Sequence, residues 1–454
     1  MQRFLRGNFQ QQVGITFLAQ ILGLILLILY SAIIARQLGP EGKGILALAL
    51  LIPEMLGTLL NCGIGVANVY LASSRQVDIR DLTANSVGFT ILVTALGVSL
   101  VGILALTGWL QKLAEGVPTW LIWLAMLRLP IWLLGVYFNT LLQGLHRIAT
   151  VNVLTIVQNV LLLVGTFVAL SVLRLGLLGA LLASLGSMVV IVLAAGLLLR
   201  RMGGVFRPRW TVPVIRSTLS YGLRGHIANV LQFFNYRLDM FLVNFYLGPA
   251  GVGIYTVSVR LAELLWHLPN AVGFVIFPKA AATKPQEMNS FTPRVFRITL
   301  ALTVLGALGL ASVGKFLIQL IYSPTFLGAY TPMLALLPGV VFLGGAKVLT
   351  NEIAGRGYPH YNSLNSGIGL ILTVVLDLTL IPKQGVLGAA LASSIAYTAV
   401  FVTAIISYLV VSQRQALMYI RVIDRRRGGE KGVGAASNEN GLARTAYLRL
   451  FRRQ

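Results

Sequence analysis

The chain has 454 residues, 57% of them hydrophobic and only 11% charged, with a mean hydropathy of +0.83. Soluble domains carry about 25% charged residues, so a water-soluble globular class is excluded. The formal charge of +23 invites a nucleic-acid partner, but no basic, aromatic-bearing soluble segment is present to hold one.

No Asp, Glu, Lys or Arg occurs between Arg6 and Arg36, Asp81 and Lys112, Arg147 and Arg174, Arg174 and Arg200, or Lys383 and Arg414. A helix crosses a bilayer with about 20 apolar residues, so these stretches are membrane spans. Twelve are predicted, over roughly 12–35, 44–72, 83–110, 118–142, 150–173, 177–199, 217–246, 252–277, 296–322, 331–352, 362–381 and 385–412. The first is too long for a signal peptide and lacks a small-residue cleavage site, so it is expected to stay. The class is all-α and polytopic.

After span one comes "LGPEGKGI". Gly ends one helix and Pro starts the next, which makes this a turn. Lys43 does not make it a phosphate loop, because no strand precedes it and Gly44 stands where Ser or Thr is required. Span two follows, with Glu54, Thr58, Asn61 and Asn68 along one face. Its single Cys62 has no intrachain disulfide partner. Span four places Arg128 and Asn139 eleven residues apart, nearly eclipsed on the helical wheel. The linker "RRMGGVFRPRWTVPVIRS" from Arg200 breaks the helical pattern with Gly and Pro.

Span seven carries Asn229, Gln232, Tyr236 and Asp239 in a 3-4-3 spacing, with Arg224 beside Asn235 on an adjoining strip. Arg237 lies off that stripe, on the face of His226, where it would pair with a neighbouring helix or snorkel. Span eight carries Thr256, Arg260, Glu263, His267 and Asn270 in a 4-3-4-3 spacing, with Arg260 and Glu263 as the expected buried pair. Such spacing puts residues on one helical face, here about 21 Å long at 1.5 Å per residue. Span ten contributes Lys347, and span eleven contributes Asn362, Ser366, Thr373 and Asp377. One polar residue in a membrane helix usually joins helices; aligned stripes on several spans instead imply a polar passage. Beyond Arg414 the sequence is polar and basic and is expected to be disordered, its end "AYLRLFRRQ" solvated or resting on the membrane.

Internal repetition organises these spans. "LGPEGKGI" at Leu38 matches "LGPAGVGI" at Leu247, "GLLGALLAS" at Gly176 matches "GVLGAALAS" at Gly385, and Glu54 matches Glu263, all at an offset of 209. The expected organisation is a six-helix lobe over 1–205, a second over 206–412 and a basic cytoplasmic tail over 413–454. The lobes would be related by a pseudo-two-fold axis along the membrane normal, around a central cavity. The "GxxxAS" stretches at Gly179 and Gly388 read as helix packing.

The N-terminus, the even-to-odd connections and the tail hold 25 Lys and Arg, against six on the opposite face: Arg36, Lys43, Lys112, Arg174, Lys315 and Lys383. Basic residues gather on the cytoplasmic side, which predicts cytoplasmic termini and contact with anionic lipid. No enzyme signature is found: no nucleophile elbow, and no metal-ligand spacing among the four histidines.

"ARQLGPEGKGILALAL", "LLQGLHR" and "RLDMFLVNFYLGPAGVGIYTVSVRLAELL" resemble the polysaccharide flippases of the multidrug/oligosaccharidyl-lipid/polysaccharide exporter superfamily, over about residues 10–412. The resemblance implies two lobes that alternate between inward-open and outward-open states. It implies as cargo an undecaprenyl-diphosphate-linked oligosaccharide, moved across the bacterial cytoplasmic membrane for polysaccharide biosynthesis. The lipid II flippases usually carry two further helices that this chain lacks.

Arg128, Arg224, Arg260 and Lys347 are then the bases suited to an anionic head. Asn61, Asn139, Asn229, Gln232, Tyr236, His267 and Asn270 are candidates for sugar hydroxyls. Glu54, Asp239, Glu263 and Asp377 would pair the bases or couple transport to H+ or Na+. No other cofactor and no metal are expected, and the functional unit expected is a monomer. Membrane lipids and a polysaccharide polymerase or export component are the further partners. Two alternatives stay open: a multidrug or organic-cation antiporter of the same fold, and a membrane-embedded glycosyltransferase or ligase.

Overall fold

The computed structural model describes residues 2–209 and 211–430, and side chains from residue 20 to 413 apart from those of residues 210, 224 and 285. The described residues are helical throughout, joined by short turns. Spans one and two form the helix Gln2–Leu60, broken at Gly39 (φ 66°, ψ −173°). Spans seven and eight form Val212–Glu263, broken at Gly248 (φ 72°, ψ −177°). The same left-handed glycine followed by proline thus recurs at the repeat offset. Gly176 and Gly385 form a second such pair, with φ of 58° and 60°. Without a Cβ these residues take a conformation that costs other residues roughly 1–2 kcal/mol.

The remaining spans follow in order, all within a few residues of expectation except at the start of span nine and the end of span twelve. Spans three to six are Ile79–Leu106, Thr119–Met126 with Arg128–Gly144, Ile148–Phe167 and Gly176–Arg201. Spans nine to twelve are Pro285–Ile321, Tyr330–Gly355, His360–Gln384 and Val386–Glu430. The last helix continues beyond the predicted end at 412; the sequence from 431 onward lies outside the described residues, as does the expected amphipathic end.

Span four breaks at Leu127 and span five ends in a π-helical stretch, Val168–Val172, and spans two and eight depart further from regular helix. Span two breaks after Leu60 and resumes as Ile64–Ser73, with Cys62 and Gly63 at φ of 52° and 69°. Asn61 stitches the break: its Oδ1 accepts from Gly63 N at 2.8 Å and its Nδ2 donates to Thr58 O at 3.2 Å. Gly63 is required for a second reason, since a Cβ there would meet Gly222 O of the other lobe at 2.2 Å. Span eight changes to a 3-10 turn at Leu264–Trp266 before continuing as His267–Ala282. Three residues at three per turn over-rotate the helix by about 60°, so the 4-3-4-3 stripe does not stay on one face.

The lobes close on each other at the end that carries the two Gly-Pro turns. A Cβ on Gly44 would meet Pro249 O at 1.7 Å, and one on Gly253 would meet Pro40 O at 1.9 Å. Two residues expected as loop charges are built into this closure. Arg36 donates from Nε to Ile321 O at 3.0 Å and also to Leu320 O, capping the end of span nine. Lys43 is buried: its Nζ donates to Ser31 Oγ at 2.8 Å and lies over the Tyr322 ring. One apolar core runs through the contact, with Leu48, Ala49 and Leu56 of the first lobe beside Val243, Val252 and Val257 of the second. Outward-facing Ile91, Ile103, Leu193, Leu305 and Ile371 are exposed, as lipid-facing side chains must be.

Candidate functional site

The charged stripe residues of span eight stand within range of the first lobe, with a pairing different from that predicted. Glu263 is bound by Arg237, whose Nη1 and Nη2 reach Oε1 and Oε2 at 2.9 and 3.4 Å. Arg260 was the expected partner; the helix geometry instead turns Glu263 toward span seven. The planar guanidinium suits both carboxylate oxygens. Glu54, the repeat mate of Glu263, lies within electrostatic range of the same Arg237.

Arg260 is therefore left exposed, within electrostatic range of Glu263 but with no hydrogen bond or ion pair among the described residues. It lies within electrostatic range of Tyr30 and Lys43 of the first lobe. Arg128, also near Tyr30, donates to Ser184 Oγ at 2.9 Å. The side chain of Arg224 lies outside the described residues. Asn61 is occupied by the helix break described above, so its amide holds backbone and is not free for a ligand. Asn139 stands apart in span four with its buried Oδ1 unpartnered.

The second lobe carries an opposite charge at the matching place. Ser393, the repeat mate of Ser184, donates to Asp239 Oδ2 at 3.3 Å. Asp239 also accepts from Tyr255 Oη and from Met240 N, the latter at 2.8 Å. Asp377 is within electrostatic range of it, and neither Asp377 oxygen has a partner. The two carboxyls are 1% and 0% exposed, so they face protein and not the space between the lobes.

The uncharged stripe residues line a pocket of about 290 Å³ built wholly from second-lobe spans seven, eight, ten, eleven and twelve. Asn229, Gln232, Tyr236, Asn270, Asn362 and Ser366, all read from periodicity, meet there with Lys347, expected as a base for the anionic head. Gln232 Nε2 donates to Tyr236 Oη at 2.9 Å, and Lys347 Nζ donates to Asn270 Oδ1 at 3.1 Å. His267 is exposed nearby, within electrostatic range of Lys347. Sequence reasoning passed over Asn351 and Asn365 and left Asn235 outside the candidate site, though all three line this pocket. A signal existed: Asn351 lies four residues after Lys347, and Asn365 three after Asn362, so each shares a helical face with a residue already noted.

A family model described as "Polysaccharide biosynthesis protein" matches residues 9–284. Among curated proteins, "Probable flippase AglR" of Haloferax volcanii is 26% identical over 190 residues, 40% of either chain. "Uncharacterized membrane protein MJ1068" of Methanocaldococcus jannaschii is 24% identical over 189 residues, 40% of this chain and 37% of that one. These matches therefore span about two fifths of the relatives' length.

Among solved structures, "Lipid II flippase MurJ, inward closed conformation" superposes with a TM-score of 0.70 at 18% identity, covering 91% of this chain and 92% of that one. An inward-facing multidrug resistance MATE family transporter of the MOP superfamily gives 0.69 at 17% identity, covering 87% and 95%. An outward-facing form gives 0.60 at 17% identity, covering 89% and 96%. With the fold in place and the family pattern matched across more than half of its length, the chain belongs to the polysaccharide biosynthesis protein family.

Proposed function

We propose that the protein moves a lipid-linked oligosaccharide, carried on a polyprenyl diphosphate, from one leaflet to the other by alternating access of its two lobes. One observation carries this reading: Arg260 is exposed with no hydrogen bond or ion pair among the described residues, and it shares the surroundings of Tyr30 with a second base, Arg128, while Asp239 and Asp377 are buried. A diphosphate head is drawn to such a guanidinium. An organic-cation antiporter would be expected to present its acids to the cargo, so the arrangement favours the anionic cargo over that alternative. In a bacterial cytoplasmic membrane the carrier would be undecaprenyl diphosphate.

The Asp239 and Asp377 pair is the candidate coupling site. A partnerless carboxylate inside a membrane protein needs a proton or a cation as its counter-charge, and H+ or Na+ would supply it. No catalytic role is assigned to any residue.

The test is reconstitution into vesicles with a fluorescent lipid-diphosphate oligosaccharide. Protein-dependent transfer between leaflets is expected, faster under an imposed H+ or Na+ gradient. Uptake of an organic cation without any lipid transfer would establish the antiporter reading instead. Consumption of a glycosyl donor or acceptor would establish the transferase or ligase reading.

A further inference from the structure

The second-lobe pocket holds more polar capacity than the helices around it consume. Asn362 donates through Nδ2 to Thr350 O at 3.2 Å, but its Oδ1 is buried with no partner. Asn365 accepts from Ser407 Oγ at 3.3 Å, and its Nδ2 has none, although the residue is only 1% exposed. Buried amide groups are almost always satisfied. An unused acceptor and an unused donor on one pocket wall are therefore a complementary pair awaiting a ligand.

The charge balance narrows the ligand. Among the described residues Lys347 is the one cation on the wall, and it is already committed to Asn270 Oδ1 and to the Trp266 ring, 4.4 Å from its centroid. No carboxylate among the described residues lines the pocket. The walls are side-chain amides, hydroxyls and the Tyr236 ring, which leans on Trp266 at 5.0 Å. Small-molecule pockets are mostly apolar with a few polar groups, at about 300–1,000 Å³. This one is amide-rich and, at about 290 Å³, sits at the small end of that range. It suits a ligand whose surface is itself hydroxyl and amide, one ring in size.

We propose that this pocket is a subsite for a neutral, amide-bearing sugar ring of the cargo, separate from the bases that face the diphosphate. The proposal rests on the transport reading above. It also gives that reading a route for coupling. Asn235 lines the pocket, and its Oδ1 accepts from Thr373 Oγ1 at 2.8 Å. Asp239 and Asp377 each lie four residues further along the same two helices, about one turn away. A sugar that recruits the Asn235 amide would load or release Thr373, and so shift the wall on which both carboxylates stand.

The experiment uses the full-length protein with N-acetylglucosamine, glucuronate and inorganic pyrophosphate as probes, read by saturation-transfer NMR. N-acetylglucosamine should bind saturably and more tightly than glucuronate. Asn365→Ala should weaken it about three- to tenfold, the value of one lost hydrogen bond. Because Asn365 is buried and that variant risks misfolding, Asn362→Ala, at a half-buried position, is measured beside it and should show the same loss. Equal sugar affinity in wild type and Asn362→Ala, or tighter binding of glucuronate or pyrophosphate than of N-acetylglucosamine, overturns the subsite. If wild type still transfers the lipid-linked oligosaccharide in vesicles, the transport reading survives that result. If wild type transfers none, the transport reading falls and the subsite for cargo falls with it.

Discussion

Arg237 and Arg260 stand on neighbouring helices beside the same carboxylate, yet they carry different loads. Arg237 neutralises Glu263, with side chains 25% and 14% exposed. Removing it strands an acid in the membrane interior. Breaking a buried pair costs about 3–5 kcal/mol, and the residual exposure reduces this to on the order of 2–3 kcal/mol. Arg237→Ala should therefore lower the melting temperature and membrane yield. Arg260 makes no direct bond among the described residues, and Arg237 stays to neutralise Glu263, so Arg260→Ala should change stability by no more than about 0.5 kcal/mol. Its loss should appear in lipid transfer, and Arg260→Lys should rescue it only in part, because the ammonium lacks the bidentate fork. Thermal melts paired with the vesicle assay check both. Wild-type transfer by Arg260→Ala would move the anion site to Arg128.

The turn between spans one and two and its repeat between seven and eight act as one element, because each glycine admits the other's proline carbonyl. A Cβ at either position would fall within 1.7 to 1.9 Å of backbone oxygen, where nothing flexible can yield. Gly44→Ala or Gly253→Ala should part the lobes at this end and populate the alternative state. A cysteine at Tyr30, in a Cys62→Ser background, should then react faster with a membrane-impermeant maleimide added on the side of the turns. Unchanged labelling in both variants would show that the contact yields without opening the interface. The buried Lys43 belongs to the same closure, so Lys43→Ala should act in the same direction, contrary to a role as a mere turn residue.

At the scale of the molecule, orientation follows from charge. With Arg36 capping a helix end and Lys43 buried, the sparse face keeps Lys112, Arg174, Lys315 and Lys383 as loop bases. On the other face, expected to hold 25 bases, the Arg356 side chain is likewise buried, paired with Glu352, so the asymmetry that predicts cytoplasmic termini keeps its sign. Cysteines at Arg207 and Ala250, both exposed, should label from the cytoplasm and from outside respectively. The reverse pattern in intact cells would invert the assignment.

Helix number, the repeat and the positions of the Gly-Pro turns were legible in the residues, because hydrophobic length and backbone permissiveness are local properties. Periodicity likewise marked Asn229, Gln232, Tyr236, Asn270, Asn362 and Ser366 as polar-faced. It did not say what each face meets. The 3-10 turn after Glu263 rotated His267 and Asn270 away from Arg260, and the approach of span seven gave Glu263 to Arg237. The break at Asn61 turned a candidate ligand into a backbone staple. Side-chain spacing fixes which residues share a stripe, whereas crossing angles and helix breaks decide which stripes converge; only the packed lobes set those angles and breaks, and with them the second-lobe pocket and the buried acid pair.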